Sequence, residues 1–427
     1  MSTLPEKKPL RAEDLRPDDV VITGRGVVCP IGNGVKEIVA PLREGRSGVD
    51  YDPEFEAHGF RSRVSGRVRG LDGAAYFSET QILSMSRASL YSSVAAVQAV
   101  RESKLLPRDL EREATGVVLG SGIGGLGTNY RMYDILREQK SPRRVGSHGV
   151  DTTMSSTCAA NASVLFRTQG VGEALSSACA TGLHCIGYAY RLIRHGYQDT
   201  VIAGAADEDG WATAFAFDAM RVLCADSNDR PWRASRPLDA SRAGFVASGG
   251  AGVVVLEKYA RAKERGARPL ARIRGYWSST DGSGDMTAPS PSGQQRLLRA
   301  ALRNAELQPG EIDYVNLHGT ATPTGDATEL TALAQVLGNQ GYGVSSSKSQ
   351  IGHALGAAGA IEFIFCLSML EHGFMAPSIN IEHLDPLLKD YEHLVVTRTE
   401  ERPLRCIMSN NFGFGSTNGS IIVEGIA

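Results

Sequence analysis

The stretch Leu175–Tyr190, LSSACATGLHCIGYAY, decides the reading, because it puts one cysteine, Cys179, where a strand gives way to a helix. Leu175–Ala178 is a run of small and apolar residues and reads as the end of a short buried strand. From Ala180 onward Leu183, Ile186 and Tyr190 recur at helical spacing. A cysteine at that junction occupies a tight turn at a helix N-terminus, where unpaired N–H groups and the helix dipole favour the thiolate. Gly182 and the small residues around Cys179 let another backbone or a thioester carbonyl come close. Free cysteine is by default inert core. Cys185, on the same helix, has no such setting and reads as core.

The surrounding chain has 427 residues, a formal net charge of −2 and 42% hydrophobic residues, enough for a large core and for two or three domains. No basic excess points to nucleic acid or a membrane surface. Seven cysteines without CxxC spacing fit a reducing compartment and no disulfide framework. The polar start MSTLPEKKPLRAEDLRPDD has no apolar run, so residues 1–17 read as a flexible leader and not as a signal peptide. Ala354–Leu370 is apolar but carries Glu362 and reads as a buried helix. The protein is expected to be soluble and cytoplasmic.

In chain order, a β-branched run at Val20–Thr23 precedes a loop-like excursion over 51–75 and a helix over Ser84–Leu105. The strand Thr115–Leu119 runs into GSGIGG, Gly120–Gly125. That glycine run matches a dinucleotide-binding fingerprint, but the acidic residue that should end a second strand is missing: Asp134 and Glu138 fall in a charged helical segment. Close backbone approach along a cavity is the simpler role. Strands at Gln198–Gly204 and Gly249–Glu257 flank Asp226–Phe245, which reads as an ordered surface loop. The pattern then restarts. Strands at Ala271–Tyr276, Ile312–Asn316 and Val344–Ser347 alternate with helices at Gln294–Asn304, Thr328–Leu337 and Ala354–His372, and Arg405–Ser409 and Ser420–Val423 form a last strand pair. Two such sets imply an α/β chain of two pseudo-repeated halves, 18–268 and 269–427.

Three more motifs fall after strands of the second half. They are NLHGTATPTGDATEL with His318, SSSKSQIGHALGAAGA with Lys348 and His353, and the glycine-rich turn SNNFGFGSTNG. A lone loop histidine is usually structural; two of them beside an elbow cysteine point to chemistry. Zinc is a poor alternative, because short ligand spacing is missing.

SSACATG, LHGTATPTGD, SSKSQIGHALGAAG and NFGFGSTN together resemble the signature blocks of the β-ketoacyl-acyl-carrier-protein synthases of the elongating type, from about residue 19 to the C-terminus. HCIGYAY, FDAM and MLEHGFMAPSINIEHLD look like synthase I, whereas GSGIGGLG, with Ile123 in the acyl pocket, looks like synthase II. The resemblance implies the thiolase-like fold, two halves in a five-layered αβαβα arrangement, and a homodimer. It implies an acyltransferase: Cys179 takes an acyl chain from acyl carrier protein, and malonyl carrier protein then extends it by two carbons in a decarboxylative Claisen condensation, in fatty-acid or related polyene or polyketide synthesis. By the same resemblance Cys179 and Phe414 supply the oxyanion hole, and Phe414 the gate. His318 and His353 would donate hydrogen bonds to the developing enolate. Lys348 would pair with Asp326 or Glu329 and hold the loop, and Thr320 and Thr322 would bind the pantetheine amides. No metal or organic cofactor is expected, although Asn316, Glu362, Ser409 and Asn410 match positions where some members hold a structural cation.

Two departures stand out. One basic carrier-docking patch falls on Glu79, Thr80 and Leu83 and is missing, while a second survives as Lys140, Arg143 and Arg144. Ser416 stands where the motif GFGGTN has a second glycine; it either restricts the swing of the gate or sits at an ordinary negative φ. A degradative thiolase should carry a second catalytic cysteine in the last glycine-rich turn, and Cys406 lies before it. A non-catalytic chain-length subunit should lack Cys179. A ketosynthase subunit of a heterodimer remains the nearer alternative.

Overall fold

The computed structural model describes residues 10–426 except Ser283. Ten strands form one continuous sheet: β1 (Val20–Val28), β2 (Thr115–Gly120), β3 (Gly172–Glu173), β4 (Thr200–Asp207), β5 (Gly250–Lys258), β6 (Ala271–Ser279), β7 (Tyr314–Asn316), β8 (Gly343–Ser345), β9 (Cys406–Gly413) and β10 (Thr417–Gly425). The spatial order is β8-β7-β9-β10-β6-β1-β5-β4-β2-β3. Outward from the centre, each half runs through two antiparallel and then two parallel pairings: β1-β5-β4-β2-β3 on one side, β6-β10-β9-β7-β8 on the other. The halves meet where β1 pairs with β6 through only Val21↔Arg272 and Ile22↔Ala271.

Six of the following seven helices complete the layers, α2 lying outside them: α1 (Arg87–Ser103), α2 (Leu126–Gln139), α3 (Thr157–Phe166), α4 (Thr181–Arg194), α5 (Pro291–Ala305), α6 (Pro323–Leu337) and α7 (Ala358–His372). α1 and α3 cover one half and α5 and α6 the other, while α4 and α7 pack on each other and on strands of both halves. This is the five-layered αβαβα arrangement of the thiolase-like fold. Strands covered on both faces need no polar side, and β1 and β4 are buried along their whole lengths. The Leu355–His372 segment, apolar and long enough to cross a membrane, is buried in the middle layer. Gly182 lets the two central helices touch: a Cβ there would lie 2.6 Å from the Ala360 nitrogen.

Four sequence readings change. Residues 1–9 of the expected flexible leader lie outside the described residues, and residues 10–17 are docked: Leu10 bridges to Ile426, and Leu10 and Leu15 pack with Val21 and Tyr259. Leu175–Ala178 is an irregular half-buried turn, and the strand before it is only the two-residue edge β3. The 226–245 segment is exposed or half-buried over 226–230, as expected of a surface loop, but its second part turns inward. There Arg242 pairs with Asp385 at 2.6 Å, and Asp239 accepts the N–H groups of Glu382 and His383. The GSGIGG turn donates the N–H groups of Gly122 and Ile123 to the buried Asp207 carboxylate, which also accepts the Gly356 N–H at 2.6 Å. The backbone cradle of that turn is filled by a side chain of the protein itself.

Candidate active site

Cys179 lies at the turn into α4, and local hydrogen bonds fix that turn. Thr181 Oγ1 accepts the Ser177 N–H at 2.8 Å and donates to the Ala178 carbonyl at 2.7 Å. Ala178 itself sits at φ +47°, a left-handed conformation that costs a residue with a Cβ about 1–2 kcal/mol. The strained elbow points the half-buried Cys179 into a cavity of about 540 Å³. His318, His353, Phe414, Thr320, Thr322, Asp326, Glu329 and Ser416 line the same cavity.

The acidified thiol expected from the helix N-terminus is not what this environment produces. Burial pushes Cys179 up to about 11, against the pull of the Lys348 charge and of the N–H groups of Phe414 and Cys179 itself. Those two N–H groups are the ones that would face an oxyanion formed at this sulfur.

The imidazoles of His318 and His353 lie edge to face, 5.4 Å between centroids. Burial holds both well below the usual histidine range, reinforced by the Lys348 charge, so both rings are neutral at neutral pH. Glu329 accepts the backbone N–H groups of His318 and Gly319, each at 2.8 Å, and so holds the loop that carries His318. Burial pushes the Glu329 carboxyl up to about 8 against those two hydrogen bonds. Asp326 accepts the Leu238 N–H at 2.9 Å and lies 3.5 Å from Arg242. The expected Lys348 pairing with Asp326 or Glu329 is therefore not formed. Lys348 Nζ instead bonds Glu362 on α7, both side chains fully buried. The reason is reach: Asp326 and Glu329 are engaged by backbone N–H groups, whereas Glu362 projects from the central helix toward Lys348.

Thr320 and Thr322 bring their hydroxyls within 3.2 Å of each other at the cavity wall. The gate segment turns sharply, with Gly415 at φ +77° and Ser416 at φ +61°, so Ser416 is not at a negative φ. Gly413 is required by space, since a Cβ there would lie 2.4 Å from Thr417 Oγ1. Ile123 does not line this cavity: its N–H is tied to Asp207 and its side chain is 36% exposed. Lys140, Arg143 and Arg144 also lie off the cavity, exposed after α2. Of the four positions matching a cation site, Glu362 is ion-paired and Asn316 accepts from Ser347, while Ser409 Oγ and the Asn410 amide are buried without a partner. Among the described residues no three His, Cys, Asp or Glu side chains gather as metal ligands.

Sequence reasoning missed Arg221 and Met286, which line the cavity, and Asn411, which contacts His318 and Glu362. Strand alternation could have placed Asn411 on the same face as Gly413.

The residues 17–262 match the family model of the β-ketoacyl synthase N-terminal domain, and 270–382 that of the C-terminal domain. The chain belongs to the β-ketoacyl synthase family. This β-ketoacyl synthase is 42% identical over 405 residues to 3-oxoacyl-[acyl-carrier-protein] synthase 1 of Escherichia coli strain K12, covering 95% of this chain and 98% of the relative. A β-ketoacyl synthase from Burkholderia phymatum superimposes with a TM-score of 0.89 at 33% identity, over 96% of this chain and all of that one. A ketosynthase solved in complex with its type II PKS acyl-carrier protein, AntDE:AntF, superimposes with a TM-score of 0.86 at 29% identity, over 96% and 100% of the two chains.

Proposed function

We propose that the protein is a 3-oxoacyl-[acyl-carrier-protein] synthase. The observation that carries the reading is one cavity lined by a thiol, two neutral imidazoles and two backbone N–H groups facing the sulfur.

Cys179 attacks the thioester carbonyl of an acyl carrier protein, and the Phe414 and Cys179 N–H groups stabilise the tetrahedral oxyanion. The carrier thiol leaves with a proton equivalent to the one Cys179 gives up. Exchange between a thiol and a thioester is thus proton-neutral, which suits a nucleophile whose resting pKa is about 11. Malonyl carrier protein then binds, its pantetheine amides meeting Thr320 and Thr322. As the carboxylate leaves as CO₂, enolate charge grows on the thioester oxygen, where His318 and His353 donate hydrogen bonds. A neutral imidazole always has one N–H to give, whereas two carboxylates would repel that charge. The enolate carbon attacks the acyl thioester, the Cys179 thiolate departs, and the product is two carbons longer. The chemistry calls for no metal or organic cofactor.

The acidic carrier approaches along Lys140, Arg143 and Arg144. A second copy of the chain is the expected neighbour, since Val150, Val164 and Tyr133 are more than two-thirds exposed and Val164 lies on α3, the helix packed on the edge strand β3. A cytoplasmic location fits the carrier-bound substrates. The test separates the two half-reactions. His318→Ala and His353→Ala should lose malonyl decarboxylation and keep acyl transfer to Cys179, and Cys179→Ser should show the reverse. A histidine variant that releases CO₂ at the wild-type rate would remove that residue from the mechanism.

A further inference from the structure

The mechanism asks His318 to donate from its ring, and a neutral imidazole donates from only one of its two nitrogens. Which one is decided by what the other nitrogen meets. His318 Nδ1 lies 3.2 Å from Asn411 Nδ2, an atom that can only donate. The same Nδ2 lies 3.0 Å from Glu362 Oε2. The Glu362 carboxylate fixes the amide: turned over, Asn411 Oδ1 would face the carboxylate oxygen and find no hydrogen there. Lys348, on the other oxygen of Glu362, keeps the carboxylate in place. His353 differs, because its Nδ1 is buried without a partner.

We infer that Asn411 is a positioning residue that sets the tautomer of His318, forcing Nδ1 to accept and leaving the proton on Nε2. The chain Lys348–Glu362–Asn411–His318 carries orientation and no proton. Space supports the assignment: a Cβ on Gly359 would lie 2.1 Å from Asn411 Oδ1, so α7 leaves a slot that the amide fills. Asn411 is fully buried, and its Oδ1 finds no partner, a cost that the two Nδ2 bonds must offset. The role depends on the proposed decarboxylation, but the tautomer does not.

Two measurements test it. In the full-length enzyme labelled with ¹⁵N-histidine, long-range ¹H–¹⁵N correlation reads the tautomer of each ring, with His318→Gln assigning the signal. Wild type should show an unprotonated Nδ1 and a protonated Nε2 for His318. Asn411→Ala should give a mixed tautomer and slow malonyl decarboxylation about tenfold. Asn411→Leu, similar in volume but unable to donate, should also lose the Nε2 preference and slow decarboxylation about tenfold. Acyl loading of Cys179 should stay near wild type in both, which also shows that they fold. A protonated Nδ1 in wild type, or equal decarboxylation rates in all three proteins, would overturn the assignment. A wild type with no decarboxylation at all would instead remove the proposed reaction, while the tautomer would still test Asn411.

Discussion

Replacing Glu362 with alanine removes the only carboxylate bonded to Lys348 among the described residues, and the structure sets the size of the effect. Both side chains are fully buried, at 1% and 0% exposure, so solvent cannot take over the lost contact. A buried ion pair broken on one side leaves a charge uncompensated, which costs about 3–5 kcal/mol. The surface pairs of this protein are different. Arg46–Glu44, with both partners more than half exposed, belongs to the class worth under about 1 kcal/mol. Glu362→Ala should therefore lower the urea unfolding free energy by about 3–5 kcal/mol. The double variant Lys348→Met with Glu362→Leu should recover most of that loss, because it buries no charge. It should still decarboxylate about tenfold more slowly than wild type, since Asn411 loses its anchor. A single variant costing less than about 1 kcal/mol, or a double variant as unstable as the sum of the singles, would refute the view that this pair is buried and obligatory.

Four other outcomes follow from the structure. Because burial lowers both imidazoles, native His318 and His353 should stay neutral as pH falls through 6.5, so the acid limb of decarboxylation should lie well below that pH; a limb at 6.5 contradicts it. By linkage, a group with a depressed folded pKa leaves stability intact above its unfolded value and loses it as pH falls below. His353→Gln should thus remove about 1.4 kcal/mol per pH unit of acid sensitivity below 6.5 from the urea-derived stability. Arg143→Glu should raise KM for carrier-bound substrate and flatten its salt dependence while leaving a small thioester mimic unaffected; equal losses on both would point to a folding defect. Ser416→Gly should relieve about 1–2 kcal/mol of left-handed strain at φ +61°, speeding acyl loading and widening the accepted chain lengths in stopped-flow assays, whereas an unchanged profile would make the serine neutral.

Much of the site was legible because its parts sit where periodicity breaks. His318 and Phe414 lie just after strands, Cys179 lies just before a helix and His353 lies in the loop before α7, and such positions carry function on a rigid scaffold. The repeat of strands and helices also revealed the two halves, since β-branched runs covered on both faces leave a strong apolar signal. What was lost depended on contacts distant in sequence. The Lys348 partner lies on α7 and not in the neighbouring loop, and the fate of Asp207 depends on Gly356 in the other half. The thiolate argument for Cys179 counted the helix dipole and omitted desolvation, which only packing shows. Charged residues in 226–245 looked like a solvated surface because composition cannot tell exposed charges from paired ones such as Arg242 and Asp385. Leu175–Ala178 looked like a strand because small apolar residues serve equally in a tight elbow.

The central claim is that one cysteine carries the growing chain between two carrier-bound substrates. Intact-protein mass spectrometry tests it in a single titration. Wild-type protein mixed with an acyl carrier thioester should gain one acyl group, mapped to Cys179. Malonyl carrier protein should then discharge it as a carrier-bound 3-oxoacyl chain two carbons longer. An adduct on Cys185, or an acyl group on Cys179 that malonyl carrier protein leaves in place, would contradict the account.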